Sequence, residues 1–263
     1  MKFTSAAVLL AAAAGVSAAP SSNEARDFIM AKKPADAPAP APAAPAYSSP
    51  AAGGGQGVGP TTYTPFCGRS KRATAVQIAY KGNVGGPGQY GCNIMPVSTS
   101  IAGQYQYSVT FTNKGGADQV CACWNKIGAD GGINGFFKGN EAVNFPLPAG
   151  QSQAVVFDTN SQGGCACGVG SLALTAIGQF AGAWLEYDFG NLSNGGWSGA
   201  DASCLVAAAN KLPIPALSVC YSGKCSTIFE GGTGDNAYLG GMEALDGVGL
   251  NIPPGPAALT VTV

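Results

Sequence analysis

The stretch AWLEYDFGNLSNGGWSGAD, Ala183 to Asp201, gathers the side chains best suited to chemistry: Glu186, Asp188 and Asp201, with Trp184 and Trp197 beside them. Paired carboxylates suit two tasks. A protonated acid facing an ionised one can cleave a glycosidic bond, and the same groups can instead simply hold sugar hydroxyls, cations or water. Indole faces stack on sugar rings while carboxylates accept the ring hydroxyls. The spacing supports a strand. From Ala183 to Phe189, alternation puts Trp184, Glu186 and Asp188 on one face and Leu185, Tyr187 and Phe189 on the other. Carboxylates two apart on a strand have Cα atoms roughly 6.5 to 7 Å apart, which brings their side chains within the separations glycosidases use. The apolar face is expected inward and the acidic face outward and solvated. The following Gly-rich run reads as an exposed loop carrying Trp197 and Asp201, and Asn191-Leu192-Ser193 in it is an N-glycosylation acceptor.

Composition narrows the chemistry sharply. The 263 residues contain no histidine, so Ser-His-Asp and Cys-His nucleophilic sites and the usual His-containing zinc sites are excluded. Any catalysis falls to carboxylates. Charged residues make up 10% and the net charge is −1, which gives no electrostatic case for nucleic acid or an anionic membrane. No cofactor motif is present. The Gly-rich Lys81 to Gly88 lacks the ending of a phosphate loop, and Asn125 to Gly135 has one carboxylate, Asp130, too few for a calcium loop.

The scaffold that must position the acids is divided into three. Residues 1–18 have a lysine at position 2, an apolar run and a small-x-small ending at Ala18, as in a secretory signal peptide. Residues 19–61 are rich in Ala, Pro and Gly and have no apolar periodicity, as expected of a disordered stalk. The dibasic Lys71-Arg72 is a candidate processing site. Residues 62–263 read as one all-β domain, a disulfide-stapled antiparallel β-sandwich. Strands are expected over residues 73–80, 104–112, 119–124, 142–147, 152–157, 164–169, 183–189, 217–221, 226–229 and 257–263, with short helices over 171–177 and 202–210. A secreted, extracellular or wall location follows from the leader.

Nine cysteines in an exported chain point to disulfides. Cys121-Ala122-Cys123 and Cys165-Ala166-Cys167 each place two sulfurs on one strand face, so two such strands lying side by side can share one or two bridges. Such a bridge, closing about 45 residues, stabilises by about 4 kcal/mol in the chain-entropy treatment. A four-thiolate metal site is the alternative, against which the one-residue spacing counts. Cys220 and Cys225 flank a turn and are expected to pair locally. Cys67, Cys92 and Cys204 stay unassigned.

Several phrases carry a resemblance: YKGNVG at Tyr80 to Gly85, WNKIGADGG at Trp124 to Gly132, LPAGQS at Leu147 to Ser152, VVFDTNSQG at Val155 to Gly163, Glu186-x-Asp188-Phe189, and GGWSGAD at Gly195 to Asp201. In order and spacing they resemble the secreted fungal allergens of the Asp f four-like family. The resemblance implies a small secreted protein that binds IgE in sensitised people and has no assigned biochemical role. The succession of SVTFTN, a strand ending in tryptophan, PAGQS, EYDF and Asp201-x-Ser203 is also similar in order to thaumatin-like proteins. That likeness implies a sandwich with an acidic cleft that binds or weakly cleaves β-1,3-glucan, with Glu186 as the cleft glutamate, Asp201 as the aspartate of the following loop, and Asp188 as an addition. Three functions compete: a non-catalytic wall-glucan binder, a glycoside hydrolase using Glu186 with Asp201 or Asp188, and an effector or inhibitor acting on a host protein through its loops.

Overall fold

The computed structural model describes residues 57–68, 81–86 and 88–263. The signal peptide, most of the stalk, Lys71-Arg72 and the strand expected over 73–80 lie outside them. The described chain begins its regular structure with β1 (Gly85–Gly86), β2 (Gln89–Tyr90), β3 (Ile94–Val97), β4 (Tyr107–Thr112) and β5 (Gln119–Asn125). There follow β6 (Val143–Leu147), β7 (Ser152–Phe157), β8 (Ser161–Val169), β9 (Trp184–Asn191) and β10 (Trp197–Ser203). The last are β11 (Leu217–Tyr221), β12 (Lys224–Ile228), β13 (Gly234–Asp235), β14 (Leu250–Ile252) and β15 (Ala257–Thr262).

Two sheets face each other. One has six strands in the order β14-β10-β9-β8-β5-β6, the other seven in the order β13-β12-β11-β15-β4-β7-β3. Their facing sides supply one core in which Tyr107, Val109 and Phe111 of β4 and Val155 and Phe157 of β7 meet Leu185, Tyr187 and Phe189 of β9. Phe157 sits 4.6 Å from Tyr187 and 5.1 Å from Phe189, ring centre to ring centre. Period-two alternation of large apolar residues produces this arrangement, because only one face of each strand has to be covered.

The all-β sandwich is as expected, with differences in detail, among them strands β1, β2, β3, β13 and β14, which the sequence reading did not include. β4 and β15 run parallel along six register pairs, so the second sheet is mixed rather than antiparallel. The helix expected over 171–177 is absent; turns and a Leu174–Phe180 bridge stand there instead, because Leu172 and Leu174 are drawn onto a side cluster with Phe180. The second expected helix shortens to Leu205–Ala209 because the residues before it belong to β10. That strand is the main correction. Trp197 to Asp201, read as a Gly-rich loop, and Ala202 and Ser203, read as the start of a helix, form one strand that pairs with β9 on one side and β14 on the other. Low intrinsic β-propensity gives way to hydrogen bonding on both edges.

The sulfurs follow the register. Cys121 opposes Cys167 and Cys123 opposes Cys165 across β5 and β8, and both pairs are bridged, which closes the four-thiolate alternative. Cys220–Cys225 bridges the β11–β12 hairpin. Cys67 pairs with Cys92, and Cys204 is free and buried. A cut after Arg72 therefore leaves both pieces joined, since the Cys67–Cys92 bridge spans it.

Candidate functional site

On β9 the expected alternation holds, but the outer face is not the solvated surface that pattern suggests. Trp184 is 1% exposed and Asp188 only 9%, while Glu186 keeps partial exposure. A second, smaller core covers this end of the sheet. Trp184 packs edge-on against Trp124 at 5.1 Å, Trp124 stacks on Phe180 at 4.7 Å, and Phe136, Phe137 and Val206 complete the cluster. The loops after β5 and β8 and the short helix bring these residues over the sheet. Trp184 is thereby removed as a sugar platform. It is a packing residue.

Next to that cluster the register assembles a polar row. Glu186 stands directly opposite Asp201 on β10, and opposite Gly164 on β8. Gly164 in turn opposes Trp124 on β5. A Cβ on Gly164 would lie 2.9 Å from Trp124 Cζ2, so the bare glycine is what lets the indole lie over the strand beside Glu186. At the other end, a Cβ on Gly249 would come within 2.6 Å of Asp201 Cβ, which places backbone hard against the aspartate. The acids thus sit between an indole and a main chain.

Directly opposed residues on antiparallel strands have Cβ atoms about 4.5 to 5.5 Å apart, so the two carboxyls share one small volume. Burial pushes the Glu186 carboxyl up to about 7, opposed by a hydrogen bond from Ser203 and by the charge of Lys126. Asp201 is raised well above the usual carboxylate range, first by burial and then by the charge of Glu186. Two desolvated acids this close do not both ionise readily. Tyr238, 1% exposed, is pushed up to about 12 by burial and then by Asp201. Asp201 Oδ1 is buried and accepts no hydrogen bond, and Trp124 Nε1 in the same row donates none. Both orphan atoms carry a desolvation cost, which a proton held between the carboxyls or a hydrogen-bonding ligand or water would lower.

A model of the Allergen Asp f 4-like domain matches residues 92–263, which contain the whole of this site. The chain belongs to that family. Allergen Asp f 4 of Aspergillus fumigatus is 35% identical over 190 residues, 71% of this chain and 58% of the relative, so this chain spans under two thirds of that protein's length. Among solved structures, the protein elicitor MoHrip2 from Magnaporthe oryzae is similar at 12% identity and a TM-score of 0.36, over 60% of this chain and 98% of that one.

Within this family member, the remaining expected site residues separate. Asp188 stays on the same face as Glu186 but accepts a 2.6 Å hydrogen bond from Asn191 Nδ2. Asn191 is 7% exposed, not on the surface, and its Oδ1 accepts from Ser193 Oγ at 2.6 Å and from the Asn194 amide at 3.1 Å. The acceptor asparagine closes the β9–β10 turn, and a sugar on Nδ2 would compete with that carboxylate contact. Trp197 is half-buried and lies four residues before Asp201 on β10. Lys126, Ser203, Tyr238 and Gly249 were not among the expected residues, although Lys126 lies in the WNKIGADGG phrase and Ser203 in the Asp-x-Ser phrase. A depression of about 750 Å³ is lined by Pro65, Gln89, Tyr90, Met95, Glu141 and Asn144 among others and includes none of Glu186, Asp188 and Asp201. Among the described residues no three metal-ligating side chains cluster, and no helix is long and apolar enough to cross a membrane.

Proposed function

We propose that this allergen-family chain is a secreted, non-catalytic protein that binds a neutral wall polysaccharide, β-1,3-glucan first, at the paired carboxyls Glu186 and Asp201. The observation that carries the reading is Asp201 Oδ1, buried without a partner directly across the strands from a partly exposed Glu186. Sugar hydroxyls are donors and acceptors at once, so a carboxyl pair holding a proton suits them better than it suits a cation. Trp197, half-buried on the same strand as Asp201, is the aromatic assigned to meet a ring. The four disulfides suit an exported protein, and recognition by IgE of sensitised hosts is the role its family implies. No cofactor, nucleic acid or membrane enters the reading.

A pulldown on insoluble β-1,3-glucan is expected to retain the wild-type domain, and Glu186→Ala and Trp197→Ala are expected to lower retention by about tenfold. Failure of the wild-type protein to bind would remove the proposal. The direct opposition of Glu186 and Asp201 also favours a second reading, slow glucan hydrolysis. That reading needs an ionised carboxylate beside a protonated one, whereas burial favours two neutral acids in acidic medium. Release of reducing ends by the wild type but not by Glu186→Gln would establish hydrolysis.

A further inference from the structure

All nine cysteines lie among the described residues, and Cys225 alone of them is exposed. Cys121, Cys123 and Cys165 are 1% exposed or less, Cys67 is 8%, and Cys92, Cys167 and Cys220 are half-buried. The Cys220–Cys225 bridge has the same 4.1 Å Cα separation as the two bridges between β5 and β8, so access to solvent is what sets it apart. It is also structurally redundant. The β11–β12 hairpin has five register pairs and a tight turn in which Ser222 and Gly223 take φ of 49° and 81°, the left-handed values of a primed hairpin turn. Pairing with β15 holds β11 from its other side. A bridge that closes so short a loop adds the least to a fold already closed by backbone.

The surroundings favour one direction of exchange. Ser218 Oγ lies 3.5 Å from Cys220 Sγ and 2.9 Å from Thr227 Oγ1. Its hydroxyl can donate to a thiolate forming on Cys220 while Thr227 donates to it in turn. Cys225 is the exposed residue of the bridge and Cys220 the supported leaving group, the two features that control exchange rate.

We propose that Cys220–Cys225 is a thiol–disulfide exchange site whose substrate is a low-molecular-weight thiol. A thiolate of that class attacks Cys225 Sγ, a mixed disulfide forms there, the Cys220–Cys225 bond breaks, and Cys220 departs as thiolate and takes a proton. A second thiol attacks the mixed disulfide, leaving Cys225 reduced and the two small thiols joined as their own disulfide; the two electrons come from them. The other three bridges stay closed, so the site changes its redox state while the sandwich stands.

The test is graded reduction of the secreted full chain with glutathione, followed by alkylation and peptide mapping. Cys220 and Cys225 are expected to be labelled first, at least about tenfold faster than any other pair, with a Cys225–glutathione adduct as the intermediate. Ser218→Ala is expected to slow that labelling by about threefold with no change in the order of the bridges. The Cys220→Ser, Cys225→Ser double variant should keep the melting temperature within a few degrees of wild type. Earlier opening of Cys67–Cys92, or simultaneous opening of all four bridges with loss of the fold, would overturn the proposal.

Discussion

The two faces of β9 are both withdrawn from water, yet they differ in what they leave unfinished. Leu185, Tyr187 and Phe189 face the opposite sheet, and the one hydroxyl among them, on Tyr187, donates to the Trp124 carbonyl at 2.9 Å. The outer face starts in the same way, with Trp184 in its own small core. Two residues on, it turns to Glu186 and Asp201, whose pair leaves an acceptor unanswered. Dehydration without hydrogen bonding costs stability, so the inner face is where the fold gains and the outer face is where it concedes. That contrast separates scaffold from candidate site.

The largest expected effect lies on the inner face. Leu185→Ala should destabilise the domain by about 3 kcal/mol, measured by denaturant unfolding with the disulfides intact, because it opens a cavity between the sheets. A loss near zero would mean that the two faces are not built differently.

The acid pair should respond more weakly and with the opposite chemistry. Glu186 is raised from the ordinary carboxylate range to about 7, so the folded state holds a proton that the unfolded chain has released over that window. The stabilising proton is fully in place in acid and is lost as pH rises from about 4.5 through 7. Stability should fall by about 2 kcal/mol across this range, the full shift being discounted because Glu186 is partly exposed. Glu186→Gln should flatten the profile, read as melting temperature against pH, and a wild-type profile already flat would count against a shared proton.

The smallest effect concerns the turn beside the site. Peptide mapping of the protein expressed in a glycosylating host is expected to show Asn191 without sugar, and Asn191→Ala should cost about 1 kcal/mol through loss of the cap to Asn194 and the contact with Asp188. A fully occupied glycan at Asn191 would show that the outer face opens more readily than its packing indicates.

What the sequence determined by itself was whatever depends on neighbours along the chain. Period-two patterning disclosed β9 and which of its residues face inward, and one-residue cysteine spacing disclosed that each motif offers two sulfurs to one partner strand. The absence of histidine confined the chemistry to acids. What only the tertiary structure decided was whatever depends on strands meeting. Trp197 to Ser203 carries poor strand formers and became β10 through β9 and β14. Asp201 thereby moved from a loop to a position opposite Glu186, and Trp124 came across a bare Gly164 to cover the acidic face that alternation alone assigns to water. Burial, and with it the protonation of the pair, belongs to residues distant in sequence, because desolvation is set by everything that packs around a group and not by its place along the strand.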